Sequence, residues 1–251
     1  MKVLEARNVS KRFGGVVALS QVTIDIQPGE IHGLIGPNGS GKTTMLNLLS
    51  GYYRPEEGTI RLGEMDLSQA AVQRRSAGGI ARTFQKPRLL PTLTVVDNAM
   101  IGGWTATRAG FLSSALGLPL PAREERLLRA RALELLSGVG LGGVLSRRAS
   151  LLEHAEQRFL EIARGLMGNP QFLLLDEPAG GLTGVEIGHL QSILKVVRDA
   201  GVGVLLVEHH TDFVFRVSDR VTTLDLGKVI KHGVPSDVRS DPEVIRVYLG
   251  P

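Results

Sequence analysis

A glycine-rich stretch at residues 36–44 constrains the fold of this chain more than any other part of its sequence. It reads GPNGSGKTT and matches the pattern G-x-x-x-x-G-K-[ST]. An apolar run at residues 31–35 precedes it and a helical pattern at residues 45–49 follows it. Strand, glycine loop and helix is the context in which this pattern forms a phosphate-binding loop. The sequence therefore predicts an α/β protein that binds a nucleoside triphosphate.

The residue types in this stretch suit phosphate chemistry. Glycines allow successive backbone N–H groups to face an anion, and the N-terminus of the following helix adds partial positive charge. Lys42 would place its charge on the β- and γ-phosphates, and the Thr43 hydroxyl would ligate Mg²⁺. A glycine-rich turn without a ligand is the alternative. The predicted nucleotide-binding residues of the loop are Gly36, Pro37, Asn38, Gly39, Ser40, Gly41, Lys42, Thr43 and Thr44.

Two adjacent acids form the second strong signal. Asp176 and Glu177 follow the apolar run at residues 172–175, which is typical of a strand buried on both faces of a parallel sheet. The carboxyl end of such a strand is where α/β proteins bind ligands. We expect Asp176 to hold Mg²⁺ through water and Glu177 to activate the attacking water. Acids at a solvated strand end are the alternative.

Three further residues are candidates on weaker grounds. His209 follows a second apolar run at residues 204–207 and would donate a hydrogen bond to the γ-phosphate. Gln85, at the predicted end of a strand over residues 80–85, would direct its amide at Mg²⁺ and its water. Phe13 would stack on an adenine ring. The alternatives are a surface histidine, a surface glutamine and a core phenylalanine.

Composition limits the classes of partner. The chain has 251 residues, enough for one α/β domain with an appended subdomain, and it has no cysteine, which excludes disulfides and thiolate chemistry. Its net charge of +4 fits either a solvated surface or a basic face directed at anionic lipid or nucleic acid. Only 4% of residues are aromatic, and no arginine-rich run carries stacking residues. We therefore expect no nucleic-acid partner.

The sequence also indicates where the protein works. The longest uncharged stretch, residues 109–122, is shorter than the roughly 20 apolar residues that span a bilayer. The N-terminus lacks the basic segment and apolar core of a signal peptide. These features predict a cytoplasmic protein.

The pattern of periodicities divides the chain. Residues 2–30 alternate apolar and polar side chains and predict antiparallel strands, whereas helical spacing dominates between residues 87 and 164. The predicted helices there cover residues 94–101, 122–139 and 155–167, and the loop at residues 104–121 is either flexible surface or a partner-facing element. Beyond them, a helix at 185–200, a hairpin at 220–233 and a helical tail at 236–249 are expected. The predicted domains are an ATP-binding core with the β-subdomain at residues 1–86 and 165–235, an inserted helical subdomain at residues 87–164, and a tail at residues 236–251.

Several short motifs, taken in order, give the chain a family resemblance. They are RTFQ at residues 82–85, LEIAR at 160–164 and VEH at 207–209, in addition to the phosphate loop and the acids. Together they resemble the ATP-binding subunit of ABC transporters over essentially the whole chain. The insert at residues 103–121 and the ending at residues 244–250 look most like the subunits that serve branched-chain amino-acid (leucine/isoleucine/valine) uptake.

The resemblance implies a fold, an activity and an assembly. The fold is an ABC-type P-loop NTPase core with an N-terminal antiparallel β-subdomain and an inserted helical subdomain. The activity is hydrolysis of ATP, with Mg²⁺ as the metal, coupled to uptake of branched-chain amino acids or a related small solute. The assembly is a head-to-tail pair of ATP-binding subunits on two membrane permease subunits at the inner face of the membrane, with a solute-binding protein as an indirect partner. In that family pattern Phe13 is the residue that stacks on adenine, and Gln85 is the residue that senses the permease. Glu177 is the general base and His209 is the switch histidine. The groove at residues 86–90 would receive the permease.

One segment departs from the family pattern. The family's LSGGQ signature, which contacts the γ-phosphate bound to the opposite subunit, aligns with LEHAE at residues 152–156. Glu153, His154 and Ala155 therefore stand where a serine and two glycines line the nucleotide. Two like unit charges about 4 Å apart repel by about 4 kcal/mol at an effective dielectric constant near 20. The N-terminus of a helix stabilises a carboxylate by only about 0.3–1 kcal/mol, so the repulsion between Glu153 and the phosphate is the larger effect. We expect a weak homodimeric ATPase and a heterodimer in the working assembly, unless Arg158 or a nearby lysine neutralises Glu153.

Other functions fit parts of the sequence. A regulatory module, in which ATP-driven dimerisation matters more than hydrolysis, would share every motif. A kinase would share the phosphate loop, but the adjacent acids and the lack of a recognisable acceptor-binding segment argue against it. The solute and the direction of transport are not encoded here, because such contacts belong to the permease and the solute-binding protein.

Overall fold

The structure is a computed structural model that describes residues 2–103 and 122–249. The predicted loop at residues 104–121, which carries most of the insert, lies outside the described residues. The chain forms two compact units. We call them the sheet unit (residues 2–82, 171–180 and 194–249) and the helical unit (residues 83–170 and 181–193). The domain boundaries predicted from the sequence stay a prediction.

Strands and helices follow one another along the chain. The strands are β1 (Leu4–Phe13), β2 (Val16–Ile26), β3 (Ile31–Ile35), β4 (Glu57–Leu62), β5 (Met65–Asp66), β6 (Ile80–Arg82), β7 (Phe172–Asp176), β8 (Gly203–Val207), β9 (Arg220–Asp225) and β10 (Lys228–Gly233). The helices are α1 (Lys42–Ser50), α2 (Val72–Ala77), α3 (Val95–Ile101), α4 (Ala122–Gly138), α5 (His154–Leu166), α6 (Gly184–Asp199), α7 (Thr211–Val217), α8 (Pro235–Arg239) and α9 (Pro242–Leu249).

A six-stranded sheet in the order β10-β9-β3-β8-β7-β6 positions the site. Strands β3, β7 and β8 are buried at every position, as expected for apolar strands covered on both faces. β8 pairs in parallel with both β3 and β7. Because the carboxyl ends of parallel strands meet at one edge of a sheet, the chain segments that follow these three strands come together there.

The predicted antiparallel β-structure is confirmed. A second sheet has the order β2-β1-β4-β5, and β1 pairs antiparallel with both β2 and β4. Its apolar positions, among them Leu4, Ala6 and Ile26, are fully buried. The start of β2 is exposed instead, and it lies beside the glycine-rich loop.

The predicted long helices agree with the structure within one residue, but two local predictions differ from it. Strand β6 ends at Arg82 instead of reaching Gln85, because the backbone N–H groups of Phe84 and Arg88 donate to Glu161, each at 3.3 Å, and not to β7. The tail forms two helices, α8 and α9, because Pro242 starts a new helix and cannot continue the previous one. The short elements β5 and α2 were not predicted from the sequence.

The helical unit is built from α3, α4 and α5, which pack on one another. Its polar interior includes Asn98, whose side chain is fully buried and bonds the backbone at Leu90 and Thr94. Among the residues that the structure describes, no helix combines the length and the apolar character needed to cross a membrane.

Candidate nucleotide-binding site

The glycine-rich loop connects β3 to α1 and turns back on itself. Gly41 lies just before α1 with φ of 104°, and a Cβ there would lie 2.6 Å from the carbonyl oxygen of Ala18. Gly36 is equally confined, since a Cβ would lie 2.1 Å from the carbonyl oxygen of Leu224. Only glycine fits either position. The loop therefore keeps its backbone close to whatever binds above it.

The N-terminus of α1 is open to an anion. None of the described side chains caps this helix end, so its first N–H groups face the loop. A cavity of about 230 Å³ lies above it, lined by residues 38–44, residues 16–18 and Glu177. Backbone N–H groups and the helix dipole make such a cavity suited to phosphate.

Lys42 lies within the loop that it is predicted to serve. Its side chain is buried, and Nζ donates to the carbonyl oxygens of Gly36 at 2.7 Å and Pro37 at 2.9 Å. Burial lowers the pKa of Lys42 from its ordinary value, against the opposing attraction of Glu177 and Asp176. A phosphate in the cavity would supply the negative charge that this buried ammonium lacks.

Asp176 ends β7 as a buried carboxylate held by an arginine. Arg82 donates to Asp176 Oδ2 at 3.0 Å, and it also donates to Asn47 Oδ1 at 2.6 Å and Ser50 Oγ at 2.9 Å on α1. The Arg82 side chain is only 7% exposed. This arginine therefore joins the acid at the end of β7 to the helix that starts at the phosphate loop.

Glu177 follows Asp176 with a backbone conformation that is rare for its residue type. Its φ of 48° lies in the left-handed region, which costs a non-glycine residue about 1–3 kcal/mol. Its N–H donates to Val207 O at 2.9 Å, which anchors the turn to β8. The carboxylate is one of the groups that line the cavity above the loop. Strain retained at such a position is typical of a functional site.

His209 comes to the same edge of the sheet at the end of β8. Its Nδ1 lies 3.7 Å from Glu177 Oε1. The preceding Glu208 is fully buried, and its Oε1 accepts a hydrogen bond from Ala179 N at 2.6 Å. Loop, acids and histidine thus converge within the sheet unit, as the sequence predicts.

The remaining candidates lie elsewhere. Phe13, at the end of β1, is 42% exposed and meets Tyr53 edge-on, with ring centroids 5.1 Å apart. It does not line the cavity above the loop. Gln85 is exposed in the helical unit, just past the end of β6. The adenine contact of Phe13 and the magnesium contact of Gln85 stay predictions.

The segment aligned with the family signature begins α5 in the helical unit. Glu153 is the N-cap residue, and its carboxylate forms a capping box with Glu156, whose Oε2 accepts from Glu153 N at 2.9 Å. The His154 ring lies against Gly181, since a Cβ added at Gly181 would be 3.1 Å from His154 Nε2. Ala155 is buried. The guanidinium of Arg158 donates to Phe84 O at 3.1 Å. The predicted role of these residues at a partner's nucleotide stays a prediction.

Two residues of the site were not singled out in the sequence analysis for these roles. Arg82 was noted only as part of a motif, and Glu208 only as the acid before His209. Arg82 is the last residue of β6, and Glu208 directly follows the buried strand β8. A charged residue at the carboxyl end of a strand is the signal that would have identified each of them. Each has a hydrogen-bond partner from a distant part of the chain, Asp176 for Arg82 and Ala179 for Glu208, which offsets the cost of removing its charge from water.

The geometry first defines a class: this is an α/β protein with a P-loop nucleotide-binding site at the carboxyl edge of a mostly parallel sheet. Residues 19–180 match the ABC transporter family, which covers more than half of the chain. The chain belongs to the ABC transporter family. It is an ATP-binding protein and an ATPase of that type, with the fold that the resemblance implies.

Three relatives resemble the chain over nearly its full length. The high-affinity branched-chain amino acid transport ATP-binding protein LivG of Escherichia coli (strain K12) is 37% identical over 249 residues, 99% of this chain and 98% of LivG. The corresponding BraF of Pseudomonas aeruginosa is 35% identical and covers the same shares. A probable LivG of Archaeoglobus fulgidus is 35% identical over 100% of this chain and 96% of its own length.

Solved structures agree with the fold. The ADP conformation of MJ1267, an ATP-binding cassette of an ABC transporter, superposes with a TM-score of 0.86 at 29% identity over 100% of both chains. The dimeric post-hydrolysis state of the cassette MJ0796, bound to ADP and Pi, gives 0.79 at 26% identity over 92% of this chain and 98% of that one.

Proposed function

We propose that this chain is the ATP-hydrolysing subunit of an importer for branched-chain amino acids. It works as one of two ATP-binding subunits, which together act on two membrane permease subunits at the inner face of the membrane. A solute-binding protein outside the membrane delivers the amino acid. The observation that carries the proposal is the convergence of the phosphate loop, Lys42, Asp176, Glu177 and His209 at one sheet edge. The choice of branched-chain amino acids as the solute is based on the names of the similar proteins LivG and BraF.

The site also fits a magnesium ion. Thr43 offers a hydroxyl oxygen on the exposed side of the loop, and Asp176 offers a carboxylate whose second oxygen is fixed by Arg82. Hard oxygen donors of this kind suit Mg²⁺, which would neutralise charge on the β- and γ-phosphates. Gln85 is a third predicted ligand.

The side chains then take distinct tasks. Lys42 moves from the loop carbonyls to the phosphates, and the N-terminus of α1 holds their oxygens. Glu177 accepts a proton from the attacking water, and His209 donates to the γ-phosphate. Phe13 stacks on the adenine. Glu153, His154 and Ala155 face the nucleotide of the second subunit.

A reconstitution experiment tests the function. The chain is co-purified with its permease and partner ATPase subunits and reconstituted into proteoliposomes. ATP is enclosed in the vesicles, on the side of this chain, and the solute-binding protein is added outside. We expect ATP-dependent leucine accumulation and no accumulation of ribose, an unrelated solute. ATPase activity that neither solute stimulates would favour the regulatory alternative, and ribose uptake would overturn the choice of solute.

The Arg82 contact yields a prediction about magnesium. Replacing Arg82 with lysine keeps the charge but loses the fork that joins Asp176 to Asn47 and Ser50. We expect the Mg²⁺ concentration for half-maximal ATP binding to rise by roughly tenfold. A tenfold change corresponds to about 1.4 kcal/mol, which is close to the lower end of the usual contribution of a charged hydrogen bond. The melting temperature should also fall.

Titration of Mg²⁺ against a fluorescent ATP analogue measures the effect. Arg61→Lys, an exposed arginine on β4, is the matched control and should change neither quantity. If Arg82→Lys lowers the melting temperature while the magnesium titration stays unchanged, Arg82 supports the fold and does not position Asp176.

A further inference from the structure

We infer that Glu208, His209 and His210 form a binding site for a transition-metal ion of the zinc class, and that its occupation arrests ATP hydrolysis. Binding is argued from geometry alone. The arrest rests on the proposed function, because it requires His209 to act at the γ-phosphate.

The three side chains present their ligand atoms to one point. Glu208 Oε2 lies 3.8 Å from His209 Nδ1 and 3.4 Å from His210 Nδ1. These separations exceed the usual N–H···O distance of about 2.9 Å. A tetrahedral ion held at about 2.0–2.1 Å separates its ligand atoms by about 3.3 Å. The spacing of the cluster is therefore close to that of metal ligands, and all three atoms lie within 4.8 Å of one another.

The cluster combines a fixed ligand with two accessible ones. Glu208 is fully buried and oriented by the N–H of Ala179 at 2.6 Å, which resembles the outer-shell support of metal ligands. The side chains of His209 and His210 are 48% and 47% exposed, so an ion can enter from solvent. Their ring centroids lie 4.1 Å apart, and the two ring planes are tilted by 37°.

The donor set selects the class of ion. Two imidazoles and one carboxylate suit Zn²⁺, Ni²⁺ and Cu²⁺, whereas Mg²⁺ takes oxygen ligands. An ion in this cluster therefore does not compete directly with the magnesium of the nucleotide. Water or a neighbouring carboxylate would complete the tetrahedron.

Binding would remove a group from the reaction. His209 Nδ1 lies 3.7 Å from Glu177 Oε1, so an ion on Nδ1 places a positive charge beside the proposed base. That charge stabilises the carboxylate and weakens it as a proton acceptor. The ion also fixes the orientation of the His209 ring, so the imidazole is no longer free to turn toward the γ-phosphate. Hydrolysis should stop while nucleotide binding at the loop continues.

The variant His210→Asn separates metal binding from the proposed catalytic residues. His210 is the N-cap residue of α7 and makes no side-chain cap, whereas asparagine is among the preferred N-cap residues, so the variant should fold. It removes one ligand and leaves His209, Glu177 and the loop intact. His189→Asn, an exposed histidine in the helical unit, is the matched control.

The first measurement uses the nucleotide-free chain without a histidine tag. Calorimetric titration with ZnCl₂ should show one ion per chain, and Co²⁺ should give the visible absorption of tetrahedral coordination. His210→Asn should weaken zinc binding by roughly tenfold or more, and His189→Asn should not change it. Absence of saturable binding, or equal binding by His210→Asn, overturns the site whatever the ATPase does.

The second measurement is ATP hydrolysis at a large excess of Mg²⁺ with increasing zinc. The unmodified chain and His189→Asn should be inhibited over the range in which zinc binds. His210→Asn should keep its zinc-free rate and require roughly tenfold more zinc for the same inhibition. Equal inhibition of all three proteins would overturn the regulatory role. A chain that binds zinc as expected yet never hydrolyses ATP would contradict the proposed function and support the metal site.

Discussion

Replacing Glu177 with glutamine is expected to slow steady-state ATP hydrolysis by about 10²–10⁴-fold, the usual contribution of a general base. Glutamine has nearly the same size, and the turn at this residue is held by backbone contacts, namely the N–H of Glu177 to Val207 O at 2.9 Å. The fold and the phosphate loop should therefore remain. The only group lost is the carboxylate that we propose as the proton acceptor for the attacking water.

The same substitution should leave ATP binding intact or make it tighter. Glu177 lines the cavity that would hold the phosphates, and its negative charge acts on Lys42. Removing that charge reduces repulsion of the triphosphate. Single-turnover hydrolysis, a fluorescent ATP analogue and the melting temperature separate these effects.

A matched control is available on the antiparallel sheet. Glu57 is an exposed carboxylate on β4, and Glu57→Gln should change neither rate nor binding. If Glu177→Gln hydrolyses ATP at the rate of the unmodified chain, the proton acceptor lies elsewhere. If it loses ATP binding together with the rate, Glu177 serves the pocket and not the chemical step.

The parts of the site that are local in sequence were predictable. The phosphate loop needs glycines at positions such as Gly36 and Gly41, where a Cβ would collide with distant backbone, and the motif records that need directly. Strands β3, β7 and β8 were predictable because burial on both faces requires continuous apolar runs. Their carboxyl ends then place Asp176, Glu177 and His209.

The contacts between distant residues were not predictable in the same way. Arg82 reaches Asp176 across 94 positions of sequence, and no periodicity reports such a pair. Strand β6 ended early because Glu161, far along the chain, accepts the N–H groups that a longer strand would have paired. The two-helix tail was foreseeable in principle, since Pro242 disfavours a continuous helix.

We expect a homodimer of this chain to be a weak ATPase, and we expect restoration of the family signature to raise its turnover. Glu153 forms a capping box with Glu156 at the N-terminus of α5, so its carboxylate lies at this helix end. In our proposal this is the helix end that faces a phosphate of the opposite nucleotide. Arg147 pairs with the Glu156 carboxylate at 3.4 Å and not with that of Glu153.

Serine is a suitable replacement for this glutamate. The change Glu153→Ser produces the S-x-x-E pattern of a favourable capping box, so α5 should keep its N-terminus while losing the negative charge. Because Glu153 is exposed, water screens its repulsion well below the value for a buried pair. We therefore expect the homodimer turnover to rise by about tenfold, which corresponds to about 1.4 kcal/mol.

The triple variant adds His154→Gly and Ala155→Gly, and it should raise turnover further by allowing the backbone to approach the nucleotide. It also costs stability, since glycine in a helix is less favourable than alanine by about 1 kcal/mol and Ala155 is buried.

The variant Glu153→Gln separates the effect of charge from that of size, because it removes the negative charge and keeps the bulk of the side chain. A rise in turnover with Gln and Ser alike would assign the effect to charge, and a rise with Ser alone would assign it to bulk. Unchanged turnover in all three variants would show that LEHAE is a working signature, and that the homodimer does not depend on a partner with the usual residues.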